Sequence, residues 1–160
     1  MDYVAEQATE QDCPNGIVVN MSLGGGKSAA VNEGAAAMVD AGLFVAIAAG
    51  NGDAFGNRQD ISTVSPASEP SVCTVGATDK SDAVASFSNY GDLLDVYAPG
   101  VGVLSTIPGG DTDTYDGTSM ATPSHRWPRR LPPWHWRCDR GWHVRVHCWS
   151  CLGRRPRRCA

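Results

Sequence analysis

Short apolar runs, separated by glycine and polar residues, recur along the first three quarters of the chain. Residues 17–21 and 43–48 are two such runs, rich in valine, isoleucine and alanine, and this composition is typical of strands buried on both faces of a parallel sheet. Between them, residues 28–41 carry apolar side chains at helical spacing, and Gly42 follows as a helix C-cap. The pattern predicts a strand–helix–strand crossover, which is normally right-handed.

Further short runs suited to strands are residues 71–77, 95–98 and 103–106. A helix is predicted to include Ser119 and to end at about Pro123, whereas residues 1–16 are polar and end in a predicted turn. Alternating strands and helices favour an α/β fold, layered around a mainly parallel sheet. Because such sheets bind ligands at the carboxyl ends of their strands, the segments Ser22–Gly25 and Ala48–Asn51 are candidates for a site.

The composition changes abruptly after Pro123. Up to that residue three basic side chains stand against sixteen acidic ones, whereas ten arginines and one aspartate follow it. All four histidines, all five tryptophans and four of the six cysteines also lie in the later part. A change in so many residue types marks a boundary, so residues 1–123 are interpreted as one domain and residues 124–160 as a separate tail. No apolar run approaches the roughly 18 residues of a membrane span.

The clearest chemistry lies in the string Gly117-Thr118-Ser119-Met120-Ala121-Thr122-Pro123. A serine between a small turn and helix-compatible residues lies at the start of a helix, where backbone N–H groups and the helix dipole favour a developing oxyanion. Ser119 is therefore the candidate nucleophile, with a simple helix N-cap as the alternative. The string resembles the nucleophile segment of subtilisin-like serine proteases.

The resemblance extends to a second segment, Ala48-Ala49-Gly50-Asn51. It is similar to the segment of that family that supplies an amide donor to the oxyanion. Asn51 would then donate to the same point as the backbone N–H of Ser119. An asparagine that only shapes an Asn-Gly turn is the alternative.

A third segment, Ser22-Leu23-Gly24-Gly25, resembles the family's substrate-binding strand, whose backbone pairs with an extended peptide. The walls of the specificity pocket would be this segment and Ala48–Gly50, and their small residues leave room for a large apolar side chain. The candidate substrate-binding residues are Ser22, Leu23, Gly24, Gly25, Ala48, Ala49 and Gly50.

Residues 65–77 and 87–91 resemble the proteinase K branch of the family in particular. The resemblance implies a structural calcium ion held by two carbonyl groups and one carboxylate, and hard oxygen ligands of this kind suit calcium. The matching positions are Pro70, Val72 and Asp95.

Two motifs of the family have no counterpart here, namely the turn that carries the catalytic aspartate and the helix start that carries the catalytic histidine. No histidine precedes His125. The resemblance covers residues 13–123 and implies the later part of a catalytic domain, an incomplete three-layer subtilisin-like fold. Cys13 and Cys73 match cysteines whose disulfide partners in relatives lie outside this region, so both are expected to be orphaned.

The family implies a secreted, extracellular serine endopeptidase that acts on peptide or protein substrates and is monomeric. The first residues do not resemble a signal peptide. Without a base and the group that orients it, this chain alone is expected to turn over little or nothing. The alternatives are a non-catalytic peptide-binding module and an esterase of the α/β-hydrolase type, although the latter requires a Gly-x-Ser-x-Gly turn that Ser119 lacks.

Residues 124–160 do not continue the serine helix in the way the family implies. Three prolines between residues 124 and 134 end any helix, and the excess of arginine, tryptophan and cysteine predicts a disordered, frameshifted or mis-spliced product. Two other hypotheses compete. The first is a zinc site formed by His143, His147, Cys148 and Cys151. The second is nucleic-acid binding through arginines interleaved with tryptophans, a partner that the domain itself does not favour.

Overall fold

The computed structural model describes residues 1–10 and 17–124. Three helices, eight strands and one short 3₁₀ turn, Ile61–Thr63, lie in this part of the chain. The helices are α1 (Asp2–Thr9), α2 (Ala29–Asp40) and α3 (Thr118–Ser124). The strands are β1 (Val18–Met21), β2 (Gly25–Gly26), β3 (Phe44–Ala48), β4 (Val64–Ser65), β5 (Cys73–Thr78), β6 (Val96–Pro99), β7 (Val103–Thr106) and β8 (Thr112–Tyr115).

The main sheet has four parallel strands in the order β1-β3-β5-β6. Its register pairs Val18 with Phe44 and Val75 with Val96. Each of these strands overlaps a run that the hydrophobic pattern predicted, with ends that differ by at most two residues, and α2 separates β1 from β3. The predicted α/β class with a mainly parallel sheet is therefore confirmed.

Helices pack on both faces of this sheet. Along β3, Val45 and Ile47 belong to the core that also contains Met38 of α2. The alternate residues of β3, Phe44 and Ala46, belong to a second core with Ala121 of α3. Because successive side chains of a strand point to opposite faces, α2 and α3 cover opposite sides, which gives the three layers that the sequence predicted.

The prediction that the first strand is buried on both faces is wrong. Val18 is 42% exposed, Asn20 is also exposed, and only Met21 of β1 is buried. Strand β1 lies at the edge of the sheet, with β3 as its one neighbour among the described residues. An apolar run reveals a strand but not its position in the strand order, so the edge could not be foreseen.

The end of α2 follows the predicted C-cap. Gly42 has a left-handed φ of 85°, which glycine adopts without steric cost. Its N–H donates to Val39 O at 2.9 Å, and the Leu43 N–H donates to Met38 O at 3.1 Å. This pair of bonds is a Schellman motif, and it turns the chain so that Leu43 enters the core ahead of β3.

Gly100 lets α3 approach the sheet closely. The Gly117 N–H donates to Gly100 O at 2.8 Å immediately before the helix begins. A Cβ at position 100 would lie 2.7 Å from both Ala77 Cβ and Gly117 O, and 3.0 Å from Ala121 Cβ. Only a residue without a side chain fits between β5, β6 and α3, so Gly100 determines how near Ser119 lies to the strand ends.

Several elements were not predicted. Helix α1 forms within a segment interpreted as polar, because Ala5 and Ala8 pack against the core that contains α2. The hairpin of β7 and β8 pairs Val103 with Tyr115, yet β8 carries polar residues with no strand pattern. The short pair of β2 and β4 joins Gly25 to Ser65. Tertiary packing and pairing, rather than local sequence, create these elements.

Some predictions fall outside the described residues. They are the turn at residues 13–16, the state of Cys13, and every hypothesis about the tail beyond Ser124, including frameshift, disorder, zinc binding and nucleic-acid binding. In the part of the chain that is described, no helix has both the length and the apolar composition needed to cross a membrane.

We expect Gly100→Ala to destabilise the fold by about 1–3 kcal/mol, because the new methyl group overpacks the contact between α3 and the sheet. Gly26→Ala is the matched control, since a Cβ at position 26 has no heavy atom within 4 Å, and its effect should stay within about 0.5 kcal/mol. Urea unfolding monitored by circular dichroism gives both values. Equal stability of the two variants would contradict this account of the packing.

Candidate active site

A cavity of about 450 Å³ opens where β1 and β3 end and α3 begins. Its lining includes the two predicted catalytic residues and all seven predicted substrate-binding residues. These are Ser119, Asn51, Ser22, Leu23, Gly24, Gly25, Ala48, Ala49 and Gly50. The structure therefore brings together three segments that lie up to 97 positions apart in the chain.

Ser119 is the second residue of α3 and faces the end of β1. Its Oγ donates to Ser22 O at 3.4 Å, and in return the Ser22 Oγ donates to Ser119 O at 2.8 Å. The described residues contain no histidine. The Ser119 N–H belongs to the first turn of a helix, where donors have no acceptor within the helix. The serine thus presents a hydroxyl and a backbone donor at the same wall of the cavity.

Asn51 follows β3 and is anchored to the first residue of α3. Its Oδ1 accepts from the Thr118 N–H and from Thr118 Oγ1, each at 2.8 Å. An N–H can only donate, so the atom that faces it must be the amide oxygen, and the orientation of the side chain is fixed. The Asn51 Nδ2 is therefore the group that is left to donate to a ligand.

Thr118 connects the two segments and was missed as a functional position. Its Oγ1 also accepts from the Gly50 N–H at 3.1 Å, and the side chain is fully buried. One hydroxyl therefore links the turn after β3 to the start of α3. A threonine beside a candidate nucleophile was the only signal in the sequence, and that signal also fits an ordinary helix cap.

A short loop with its own hydrogen bonds borders the site. The Asp53 carboxylate accepts from the N–H groups of Phe55 and Asn57, both at 2.9 Å, and from Asn57 Nδ2 at 3.1 Å. The side-chain bond from Asn57 is the main cause that holds the pKa of Asp53 below its ordinary value of 3.8, followed by the backbone bond from Asn57. The pKa of Asp60 is also below its ordinary value, because its carboxylate accepts a hydrogen bond from the Ser62 N–H.

The residues predicted to bind calcium lie outside the cavity. The Asp95 carboxylate accepts from the Thr74 N–H at 2.7 Å, and the Asp95 N–H donates to Thr74 O at 3.0 Å. These bonds hold Asp95 beside Thr74, the second residue of β5, which lies two residues after Val72 in the chain. No group of three or more histidine, cysteine or acidic side chains suited to a metal occurs in the described part, but the predicted set needs only one carboxylate.

The parallel sheet, the serine in the first turn of α3 and the asparagine at the adjacent strand end are the arrangement of an α/β serine hydrolase. A family model described as "Subtilase family" matches residues 3–124. The chain therefore belongs to the subtilase family of serine proteases, as the sequence motifs predicted.

Known relatives agree with this assignment. The chain is 55% identical to the cuticle-degrading protease of Metarhizium anisopliae over 123 residues, 77% of this chain and 30% of that protein. It is 54% identical to proteinase R of Parengyodontium album over the same shares of each chain. The chain thus spans about 30% of the length of these curated relatives, and its similarity to them supports the proteinase K-like assignment.

A solved structure shows the same fold. It is described as a cold adapted subtilisin-like serine proteinase, with a TM-score of 0.68 and 40% sequence identity. The match covers 77% of this chain and 41% of that one. The subtilisin-like α/β fold is therefore confirmed for this part of the domain.

We expect Thr118→Val to lower the free energy of unfolding by about 1–3 kcal/mol, because it removes the hydroxyl that Gly50 and Asn51 share and leaves a polar group unpaired. Thr118→Ser keeps the hydroxyl and should cost less, about 0.8 kcal/mol for the lost methyl group. Urea titration of both variants measures the difference. A serine variant as unstable as the valine variant would show that packing, not hydrogen bonding, is the role of Thr118.

Proposed function

We propose that this chain carries the nucleophile, the oxyanion donors and the substrate-binding wall of a serine endopeptidase. Ser119 Oγ would attack the carbonyl carbon of the scissile peptide bond. The Asn51 Nδ2 and the Ser119 N–H would donate to the oxyanion that forms. The proposal is carried by one observation, the pair of hydrogen bonds from Thr118 that fixes the Asn51 oxygen and leaves its amide nitrogen to donate.

The cavity walls favour a substrate with a large apolar side chain. Ala48 and Ala49 are small and buried on one side, and Ser22, Gly24 and Gly25 line the other. Leu23 is 55% exposed and offers an apolar contact to a peptide. An extended substrate would lie along residues 22–25 as an added strand, with backbone hydrogen bonds giving affinity and the cavity giving specificity.

The same proposal holds that the chain alone is nearly inactive. Acyl transfer by serine needs a base to take the hydroxyl proton and a group to orient that base. The Ser119 hydroxyl donates instead to the carbonyl oxygen of Ser22, which cannot serve as a general base at neutral pH. The complete activity, the extracellular location and the monomeric state are proposals drawn from the family.

The oxyanion donors can be tested without turnover. An acetylated Ala-Ala-Phe peptide with a free carboxylate should bind the full chain about tenfold more tightly than its carboxamide, because hydrogen bonds to a charged oxygen are stronger. Asn51→Ala should weaken this preference, because only the Ser119 N–H then remains to donate, and it should change the carboxamide affinity less. Asn51→Asp keeps the acceptor for Thr118 but removes the donor, so it should bind the carboxylate worst.

Calorimetric titration gives the affinities in this experiment. Equal affinity of the two peptides for the parent chain would contradict the assigned role of Asn51. A preference that is undiminished in both Asn51 variants would do the same.

A fluorophosphonate probe tests the inactivity of the isolated chain. We expect no labelling of Ser119 after prolonged incubation, because no neighbouring base activates its hydroxyl. Intact-protein mass spectrometry measures the adduct, and Ser119→Ala provides the blank. Rapid stoichiometric labelling that disappears in this variant would show that the chain is a competent enzyme by itself.

We further propose that the Pro70 and Val72 carbonyls and the Asp95 carboxylate hold a structural calcium ion. The donor set fits, since oxygen ligands with one carboxylate suit calcium, and hydrogen bonds to Thr74 hold the carboxylate near Val72. When bound, the ion would tie β5 to β6 and add stability.

Calcium at about one hundred times its dissociation constant should stabilise the parent by about 2.7 kcal/mol, whereas magnesium should add less. Asp95→Asn keeps an acceptor for the Thr74 N–H but loses the charge, so its stabilisation by calcium should vanish. Asp92→Asn, an exposed neighbour, is the control and should keep it. Thermal unfolding with and without each ion measures the stabilisation of each variant. An unchanged calcium effect in Asp95→Asn would refute the site.

A further inference from the structure

Asn89 makes three hydrogen bonds to the segment that carries Asn51, as many as Thr118 makes. It is 1% exposed and lies in the loop between β5 and β6. Its Nδ2 donates to Ala49 O at 2.8 Å, and its backbone N–H donates to Gly50 O at 3.0 Å. Its Oδ1 accepts from the Gly52 N–H at 3.0 Å and from the Gln59 N–H at 2.9 Å.

The two ends of the loop of residues 52–59 therefore meet on one oxygen atom. An amide oxygen has two lone pairs and can accept both N–H groups, while the amide nitrogen of the same side chain donates to Ala49 O. Aspartate would lack the donor, and leucine would lack both donor and acceptors. Of these side chains, only a carboxamide can make all three hydrogen bonds. The two N–H donors also identify which terminal atom of the side chain is the oxygen.

The backbone around Asn51 is shaped to fit this contact. Gly50 and Gly52 have left-handed φ values of 96° and 85°, which favour glycine. A Cβ at Gly50 would lie 2.5 Å from Asn89 Nδ2, so the turn passes directly over the buried amide. Asn51 lies between these two glycines, and its own side chain is held by Thr118 on the other side.

We propose that Asn89 is a positioning residue that fixes the backbone of residues 49–52 and thereby aims the Asn51 side-chain amide at the oxyanion. This inference rests on the proposed function, because the aim of Asn51 matters chemically only if that residue binds an oxyanion. Asn89 itself does not touch the reacting atoms in this proposal. Asn89 acts through Asn51. Substitution of Asn89 should move the Asn51 side-chain amide without unfolding the chain.

The test uses the full 160-residue chain labelled with ¹⁵N. In Asn89→Ala, amide hydrogen exchange at Gly52 and Gln59 should become about tenfold faster, as expected for the loss of a hydrogen bond. The side-chain NH₂ resonances of Asn51 should shift as well. Asn89→Asp is isosteric and keeps the acceptor, so it should preserve the protection of Gly52 and Gln59 yet still shift the Asn51 resonances. Asn89→Asp therefore still tests the proposal if Asn89→Ala fails to fold.

Thr74→Val is the matched control. Thr74 is fully buried and donates from Oγ1 to Ala67 O at 3.1 Å, so its loss also removes one buried hydrogen bond but does not touch residues 49–59. It should leave exchange at Gly52 and the Asn51 resonances as in the parent. Unchanged exchange and resonances in both Asn89 variants would overturn the proposal, and so would equal changes in Thr74→Val.

Peptide binding separates this proposal from the proposed function. In Asn89→Asp, the preference for the carboxylate peptide over the carboxamide peptide should fall about threefold, with a smaller change in carboxamide affinity. A parent chain without any preference would refute the role of Asn51, while the exchange data would still decide whether Asn89 positions the turn. A parent with the preference, and an Asn89→Asp variant that retains it in full, would refute the positioning role alone.

Discussion

The site depends on the hydrogen bonds by which Thr118 holds the side chain of Asn51. They join the end of a strand to the first turn of a helix, two elements separated by 67 positions in the chain. Both donors of Thr118 converge on one amide oxygen, so the amide plane cannot rotate without breaking two bonds at once. Without this link, the exposed side chain of Asn51 could rotate, and its amide would have no defined direction relative to Ser119.

This link requires a helix that lies close to the sheet. Gly100 provides the room, because any side chain there would collide with Ala77 and Ala121. The two apolar cores on opposite faces of β3 fix the sheet between α2 and α3. Burial of apolar surface therefore holds the three layers together. The close packing of these layers determines where the polar site lies.

The sequence was most informative where local chemistry and fold agree. Buried strands β3 and β5, helix α2 and its cap at Gly42 could be predicted, because β-branched runs, helical spacing and a C-terminal glycine act locally. The gathering of Ser22, Asn51 and Ser119 could be expected from the rule that strand ends meet at one edge. The edge position of β1, the existence of α1 and the pairing of β8 depend on distant partners, and no local pattern encodes them.

The same distinction explains why Thr118 and Asn89 were missed as functional positions. A buried polar side chain is defined by the groups it satisfies, and those groups come from segments up to 68 positions away. In the sequence, Thr118 and Asn89 look like any other threonine or asparagine near a glycine. In the structure, the Asn51 amide is held by bonds within the described part of the chain, and this part contains no histidine that could take the proton of Ser119. Preorganised dipoles and proton transfer are separate contributions to catalysis, so the direction of the Asn51 amide does not depend on whether the hydroxyl beside it is activated.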